Sequence, residues 1–444
     1  MAHLIDNLVR DAVFSEGDAK AQARKEIHLE ARKRGAVPSS IFPLYTAIGR
    51  GEVSRRFTTP AFNIRALTYD SARALFRAAM RNKVGAFIFE IARSEIGYTE
   101  QRPAEYAACV LGAAIRENFT GPVFIQGDHF QASAKKWATA DGRSAEMKAL
   151  ESLIDEALAA EFYNIDIDTS TLVDLSFPTR EEQQRANYEG TAHLTKTIRT
   201  RQPKGITVSV GGEIGEVGKY NTQPDEVRAY MDGLDRHLDG ATGISKISVQ
   251  TGTSHGGVPM ADGSIAQVKI DFDVLRKTTE ICRGEYGLAG SVQHGASTLP
   301  ESVFNKFPES EAVEIHLATG FQNMILDAPA FPAEMKEEIR KFCFANAADE
   351  RKPGETDEQF VYKTRKKALG PFKRRMWDMP DENKKPIVDE LEAKFEFLME
   401  KLAVFGTADL VRKYVPVSTS ELPAYAAASE ELTAAAVVDP NEGE

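Results

Sequence analysis

The sequence predicts an α/β protein built as a (β/α)8 TIM barrel, with a helical arm before the barrel and a helical extension after it. Short apolar, β-branched runs alternate with longer amphipathic segments, which is the pattern of parallel βαβ units. Eight such runs occur between residues 60 and 317. A span of about 260 residues matches the size of one such barrel. A doubly wound parallel sheet is the structural alternative.

The predicted elements follow in chain order from this alternation. Eight strands are expected at 61–64, 84–91, 122–126, 165–168, 206–210, 246–249, 288–292 and 312–317. Helices are expected between them at 71–82, 104–118, 146–161, 181–199, 225–238, 272–282 and 302–307. The strands are short and rich in branched residues, whereas the helices have apolar residues every three to four positions.

Composition shifts divide the chain into four predicted parts. Residues 1–55 are charged and helical, with a break at Pro38, and residues 56–330 contain the barrel. Residues 331–420 form a charged helical extension, in which an amphipathic helix at 386–404 is expected to cover the barrel or a subunit interface. Residues 421–444 are rich in alanine and acidic, and are expected to be a mobile tail.

The composition also limits the function classes. The chain has 444 residues, of which 42% are hydrophobic and 27% are charged, so it can bury a full core. Its formal net charge of -11 opposes nonspecific binding to nucleic acid or to an anionic membrane. Only three, widely spaced cysteines occur, so we expect no disulfide framework and a cytoplasmic location. We expect neither a signal peptide nor a membrane span.

Histidines follow three of the predicted strands, where a barrel places its chemistry. His129, His255 and His294 are expected at the carboxyl ends of three strands, and Glu213 ends a fourth. Histidines with a nearby carboxylate and an open position suit a catalytic divalent metal ion. Asp128 precedes the first histidine and is expected to face the other way, as an acid or base and not as a ligand.

Each of these residues could instead have a purely structural role, such as a hydrogen bond within a loop. A single histidine at a strand end is more often a hydrogen-bonded loop residue than a metal ligand, and only the shared predicted face of all three favours metal. Residues 252–256 match the hydrolase pattern GxSxG, but that motif requires a helix directly after the turn, and the sequence that follows at 257–263 (GVPMADG) does not favour one. A Walker A loop at 213–220 is excluded because Glu213 and Tyr220 occupy two of its required positions.

Six motifs in this order resemble the class II, metal-dependent fructose-bisphosphate and tagatose-bisphosphate aldolases over residues 55–325. They are Phe62-Asn63-Ile64, Gly127-Asp128-His129, the run 212–218 (GEIGEVG), the run 252–256 (GTSHG), the run 270–273 (IDFD) and the run 294–297 (HGAS). The resemblance implies a (β/α)8 barrel that cleaves ketose bisphosphates reversibly.

The resemblance also implies roles for individual residues. The zinc ligands would be His129, His255 and His294, with Glu213 as a further metal-associated residue and Asp128 as the acid or base. The substrate contacts, some of which hold a monovalent cation in many family members, would be Asn63, Gly256, Gly295, Ser297, His316 and Thr319. His316 stands where the family has an asparagine that contacts the enediolate. Glu216 is the acid nearest the family's mobile loop, which supplies a proton-abstracting glutamate.

The expected function is therefore a zinc-dependent aldolase of carbohydrate metabolism and glycolysis. It would cleave fructose 1,6-bisphosphate to dihydroxyacetone phosphate and glyceraldehyde 3-phosphate. A homo-oligomer, such as a dimer, is expected from the family and from the amphipathic helix. Two alternatives stay open, namely an aldolase for another phosphorylated sugar and a noncatalytic, aldolase-like accessory subunit. A metal-dependent hydrolase is disfavoured because the first strand lacks a His-x-His pair.

Overall fold

Eight parallel strands close into a barrel, which confirms the predicted fold class and excludes the doubly wound sheet. A computed structural model describes residues 2–53, 55–215, 220–252 and 270–417. The strands are β1 (Ala36–Pro38), β2 (Thr59–Asn63), β3 (Ile88–Ala92), β4 (Gly121–Gln131), β5 (Asn164–Asp168), β6 (Ser209–Glu213), β7 (Lys246–Ser248), β8 (Ser291–Gln293) and β9 (Glu314–Leu317). Strands β2 to β9 form the barrel in sequence order, and β9 pairs with β2 to close it.

Helices precede, surround and follow this barrel. They are α1 (Ala2–Phe14), α2 (Gly17–Lys33), α3 (Phe42–Gly49), α4 (Thr68–Arg81), α5 (Arg93–Tyr98), α6 (Pro103–Arg116), α7 (Ala134–Trp137), α8 (Ala140–Ala159), α9 (Arg180–Arg201), α10 (Pro224–Leu238), α11 (Phe272–Tyr286), α12 (Lys306–Glu309), α13 (Thr319–Asp327), α14 (Ala333–Asn346), α15 (Asp357–Thr364), α16 (Lys373–Trp377), α17 (Asp381–Lys401) and α18 (Ala408–Tyr414). The helical arm and the helical extension are thereby confirmed.

Strand β1 was not predicted. Its three residues pair in parallel with the start of β4, with Ala36 opposite Gly121. The side chain of Asn164, at the start of β5, accepts a hydrogen bond from the Ile41 N–H and donates to the carbonyls of Ser39 and Ile125. A run of three residues is too short to show a periodicity in the sequence. The position of β1 depends on these tertiary contacts, which the local sequence does not reveal.

Three barrel strands begin three or four residues after their predicted starts. The predicted strand 84–91 becomes β3, which begins at Ile88, the predicted strand 206–210 becomes β6, which begins at Ser209, and the predicted strand 288–292 becomes β8, which begins at Ser291. In each case apolar residues precede the point where pairing with the neighbouring strand begins, so the apolar run starts before the strand does. The shift places Glu213 within β6 as its last residue.

The amphipathic helix predicted at 386–404 is the C-terminal part of α17, which begins at Asp381 and contains Pro386. Its apolar face is buried against α4 and α13. The Phe395 ring lies 5.2 Å from that of Phe62 in β2 and 5.0 Å from that of Phe321 in α13. Because α13 is short, α17 occupies the place beside α4 that the eighth helix of a barrel would take.

The N-terminal arm packs on the outside of the barrel, where its helices α1 and α2 contact the barrel helix α6. The fully buried ring of His28 in α2 contacts Glu161, which follows α8, through its Nδ1 atom. Arg32, one turn later, pairs with the same carboxylate. The arm is therefore fixed to the barrel by a buried polar contact as well as by apolar packing.

Among the described helices, none combines the length and the apolar character needed to cross a lipid bilayer.

Candidate metal centre and substrate cavity

A narrow cavity of about 40 Å³ opens at the carboxyl ends of the barrel strands. This is the end where a barrel collects residues from several strands. Its lining comprises Asn63, Arg65, Glu90, Ala92, Ser94, Glu95, Asp128, His129, His294, Gly295, Ser297, His316, Ala318 and Thr319. The lining contains every residue of the described ranges that was predicted to bind substrate or metal, with the exception of Glu213. Glu213 lies behind the lining and contacts His129.

Asp128 and His129 both line the cavity, so the expectation that they face opposite ways is wrong. The register between β4 and β5 shifts between Gly127 and Phe130, which marks a bulge. His129 has a left-handed φ of 39°, and its Nε2 atom lies 3.9 Å from Oδ1 of Asp128. A bulge interrupts the strict alternation of a strand and redirects a side chain, which is a common device beside functional sites.

His129, Glu213 and His294 form the first group able to hold a metal ion. Their candidate ligand atoms all lie within 4.8 Å of one another, and all three residues are buried. The Nδ1 atom of His129 lies 3.2 Å from Oε2 of Glu213 and 3.1 Å from Oδ2 of Asp168. The Nε2 atom of His294 lies 2.7 Å from the Ser248 hydroxyl. Two imidazoles and a carboxylate suit a divalent ion such as zinc.

The electrostatics of this group follow from burial and close carboxylates. Burial, followed by the nearby charge of Asp168, raises the pKa of Glu213 to about 7. Burial alone would lower the pKa of His129, but Asp128 and Glu213 outweigh it and raise this pKa well above its ordinary value. The negative charge concentrated here favours a cation.

His316 lies on the other side of His294, with the two ring centroids 4.1 Å apart. Its Nδ1 atom is 3.1 Å from Oδ1 of Asp128 and 3.0 Å from Oε2 of Glu90. Its Nε2 atom is 2.8 Å from Oε1 of Glu314. Asp128, His294 and His316 form a second group whose candidate ligand atoms lie within 4.8 Å of one another.

A buried polar layer lies beneath the cavity, inside the barrel. The Nζ atom of Lys246 lies 2.9 Å from Oδ2 of Asp166, donates to Oε1 of Gln126 at 2.8 Å and contacts Glu314. Tyr45 donates to the second oxygen of Glu314. This layer connects to the cavity through the bond between Glu314 and His316.

Elsewhere in the lining, polar groups suitable for an anion surround the start of α13. Thr319 is the first residue of this helix, and the Ser297 hydroxyl accepts a hydrogen bond from the Gly320 N–H at 3.0 Å. Arg65 donates to the Thr319 hydroxyl at 3.3 Å and pairs with Glu95. Helix N-termini with hydroxyl and guanidinium donors can hold a phosphate.

Three predicted residues, His255, Gly256 and Glu216, lie outside the described residues. The hydrolase-like pattern at 252–256 and the end of the Walker-like segment lie outside them in part as well.

Several site residues were not predicted from the sequence. Asp168 ends β5, so the rule that singled out the other strand ends also applies to it. Arg65 follows the Asn63 motif by two residues. Glu90, Glu314 and Lys246 lie within strands that read as apolar or mixed, and the sequence alone does not tell which strand face points into the barrel.

Comparisons with known proteins agree with this architecture. A sequence model of the family described as fructose-bisphosphate aldolase class-II matches residues 52–379. A comparison with curated protein sequences finds no match. A structure described as "a probable tagatose 6 phosphate kinase from Sinorhizobium meliloti" is 18% identical, with a TM-score of 0.52, and covers 86% of this chain and 97% of its own; it supports the barrel fold.

Two further solved structures are similar to the chain. The fructose-bisphosphate aldolase from Campylobacter jejuni is 18% identical, with a TM-score of 0.46, over 82% of this chain and 94% of its own. The YdjI aldolase from Escherichia coli is 14% identical, with a TM-score of 0.41, over 77% of this chain and 97% of its own.

Proposed function

Because the chain belongs to the class-II fructose-bisphosphate aldolase family, a family of metal-dependent carbon–carbon lyases, we propose that it is a zinc-dependent aldolase for a ketose bisphosphate. Fructose 1,6-bisphosphate is the first candidate substrate, with dihydroxyacetone phosphate and glyceraldehyde 3-phosphate as products. The observation that carries the proposal is the grouping of His129, Glu213 and His294 beside a cavity that Asp128 also lines.

In this proposal the ion is held by His129, His294 and His255, with Glu213 as a further metal-associated residue. The donor set fits the ion, because imidazole and carboxylate are the ligands of catalytic zinc sites. When bound, the ion supplies a Lewis acid that stabilises negative charge on the substrate. Asp168 and Ser248 fix the orientations of the His129 and His294 rings through the contacts described above.

The protons are handled by side chains. Asp128 takes the proton from the hydroxyl next to the bond that breaks, so that this carbon becomes an aldehyde, and returns it in the reverse reaction. Glu216 donates a proton to the other carbon of the same bond during cleavage and removes that proton in the reverse reaction. The position of Asp128 on the bulge of β4, beside His129, supports its role.

The remaining predicted residues hold the substrate. Asn63, Gly256, Gly295, Ser297 and Thr319 bind the phosphate and hydroxyl groups, with a monovalent cation beside the phosphate. Arg65 adds a positive charge on the same wall of the cavity, although its pairing with Glu95 reduces that charge. A homodimer is part of the same proposal.

A cleavage assay tests the proposal. The purified full-length protein is incubated with fructose 1,6-bisphosphate, and triose phosphate release is followed with and without EDTA and added zinc. We expect activity that EDTA abolishes and zinc restores. Cleavage that is insensitive to EDTA would contradict the metal mechanism.

The Asp128→Asn variant tests the proton transfer. With one equivalent of zinc bound, its kcat should fall by about 10²-fold to 10⁴-fold, the usual range for a lost general acid or base. Zinc affinity at His129, Glu213 and His294 should persist, as equilibrium dialysis would measure. A kcat within about threefold of the wild type would exclude Asp128 from this role.

A second candidate is an aldolase for a different phosphorylated sugar. His316 favours it, because its ring is larger than the asparagine expected there and is already bonded to Asp128 and Glu314. A panel of ketose monophosphates and bisphosphates, assayed with the zinc-loaded protein, separates the two. A substrate with a kcat/KM at least tenfold above that of fructose 1,6-bisphosphate would establish the second candidate.

A further inference from the structure

The environment of His316 is that of a metal ligand. We propose that His316 and Asp128, together with Glu90 and with His294 within reach, hold a second divalent metal ion beside the one at His129 and Glu213. The first metal position and the second share only His294 as a possible ligand. The second position uses His316, which the resemblance to the aldolase family assigned to substrate binding.

The distances among the candidate ligand atoms fit one ion. The Nδ1 atom of His316 lies 3.1 Å from the Asp128 carboxylate and 3.0 Å from the Glu90 carboxylate. Ligands about 2.0–2.1 Å from a tetrahedral ion are separated from one another by roughly 3.3 Å. Both carboxylate oxygens therefore lie at about the separation from Nδ1 that two ligands of one ion would have.

The far side of the His316 ring supports the same assignment. Its Nε2 atom lies 2.8 Å from Oε1 of Glu314, which itself accepts from Gln126 at 2.9 Å and contacts Lys246. A metal-binding histidine usually donates its second N–H to a carboxylate held in place in this way. That contact fixes the tautomer and leaves Nδ1 facing Asp128 and Glu90.

Charge and hydrogen bonding also favour a cation here. Glu90 and Glu314 are fully buried, and Asp128 and Asp166 nearly so, while Lys246 is the amine among them and His316 adds a positive charge only when it is protonated. Within the described part of the chain, Oε1 of Glu90 is buried without a hydrogen-bond partner. A buried carboxylate oxygen without a donor is costly, and a metal ion beside it would remove that cost.

Occupation of the second position has a consequence for Asp128. While Asp128 is a ligand it is not a proton acceptor, so excess metal should slow any reaction that uses it. This consequence alone rests on the proposed aldolase function. The site itself is tested by metal binding without substrate, so a failure of aldolase activity and a failure of this inference are separate results.

The experiment is a titration of metal-free, full-length protein with Co²⁺, in which binding is monitored by calorimetry and by visible absorption. We expect two equivalents in the wild type, one in His316→Asn and one in His129→Asn. The two single variants should lose different equivalents, with different Co²⁺ absorption spectra. Exposed His193 on α9, which pairs with Glu151 on α8, provides the control, and His193→Asn should retain both equivalents.

Circular dichroism verifies that each variant is folded, and Glu90→Gln provides a second probe if His316→Asn is not. Glu90→Gln should weaken the second equivalent at least tenfold and leave the first unchanged. A single Co²⁺ per wild-type chain at saturation would overturn the inference. Two undiminished equivalents in a folded His316→Asn or Glu90→Gln protein would do the same.

Discussion

At the scale of single residues, the interior of the barrel depends on how Lys246 balances the carboxylates around it. Its side chain is 1% exposed and contacts both Asp166 and Glu314. Burial would lower the pKa of Lys246, but these two carboxylates outweigh burial and raise it, so the amine is held in its charged form. Removing one partner of a buried ion pair leaves an uncompensated charge in a medium of low polarity.

We therefore expect Lys246→Met to lower the free energy of unfolding by about 3–5 kcal/mol, as measured by urea denaturation. The double variant Lys246→Met/Glu314→Gln removes a charge on each side and should recover part of that loss. A loss below about 1 kcal/mol in the single variant would show that the pair does not stabilise the barrel.

The buried His28 ring makes the free energy of unfolding depend on pH. Burial, and then the charges of Arg32 and Arg24, lower its pKa from 6.5 to about 3, so the folded protein keeps the ring neutral. The unfolded chain takes up a proton near pH 6.5, whereas the folded chain does not until about pH 3. This contribution to stability is therefore complete above pH 6.5 and is lost as the pH falls from 6.5 towards 3, by up to about 1.4 kcal/mol per pH unit.

His28→Gln removes this titration and keeps an N–H donor for Glu161. Urea denaturation between pH 7 and pH 4 should show a shallower loss of stability in the variant than in the wild type. Equal slopes would contradict a neutral, buried His28.

Single residues also show where sequence reasoning succeeds. His129 and His294 could be predicted because a barrel brings the ends of its strands to one face, whatever the details of packing. The shared direction of Asp128 and His129 could not, because it depends on a bulge that the pairing of β4 with β5 imposes. Glu90 and Lys246 could not be predicted either, since their importance arises from neighbours on distant strands.

At the scale of elements, α17 completes the ring of helices although it lies far beyond the last strand. Phe395 contributes much of this contact, because its fully buried ring packs against Phe62 and Phe321.

We expect Phe395→Ala to destabilise the protein by about 3–5 kcal/mol, measured by thermal or urea unfolding. Phe177, which is 47% exposed, is the matched control, and Phe177→Ala should change stability by less than about 0.5 kcal/mol. Similar effects of the two substitutions would mean that α17 is not part of the barrel's packing.

The elements themselves were predicted with uneven success, for identifiable reasons. Long helices such as α9 have a period that is readable over several turns, and the prediction 181–199 lies within Arg180–Arg201. The strand β1 has three residues and depends on Asn164 for its position, so local sequence does not define it. The helix expected at 302–307 is replaced by a single 3₁₀ turn at Glu301–Val303 and by the short helix α12 (Lys306–Glu309).

At the scale of the whole molecule, the alternation of strands and helices was sufficient to predict the barrel, since only a few topologies accommodate eight βαβ units. The substrate was not determined in this way. It depends on a few side chains in the cavity, such as His316 and Arg65, whose effect comes from their contacts and not from the fold.

The whole barrel also concentrates negative charge at one end, and this links metal binding to stability. The buried carboxylates there belong to Glu90, Glu95, Asp128, Asp166, Asp168, Glu213 and Glu314. The nearby groups that can be positively charged are fewer, namely Arg65, Lys246, His129, His294 and His316. A bound dication offsets this excess in the folded state, and the unfolded chain offers no comparable site.

Removing the metal should therefore lower the melting temperature. Free zinc at 100 times its Kd stabilises the folded state by about 2.7 kcal/mol, so we expect EDTA to lower the Tm by a few degrees in differential scanning calorimetry. His129→Asn supplies the control: its own Tm should respond less to zinc, because the ion loses a ligand while the fold keeps its core. A wild-type Tm that zinc leaves unchanged would contradict stabilisation by the metal, and an equal rise of the Tm in both proteins would place the stabilising ion somewhere other than at His129.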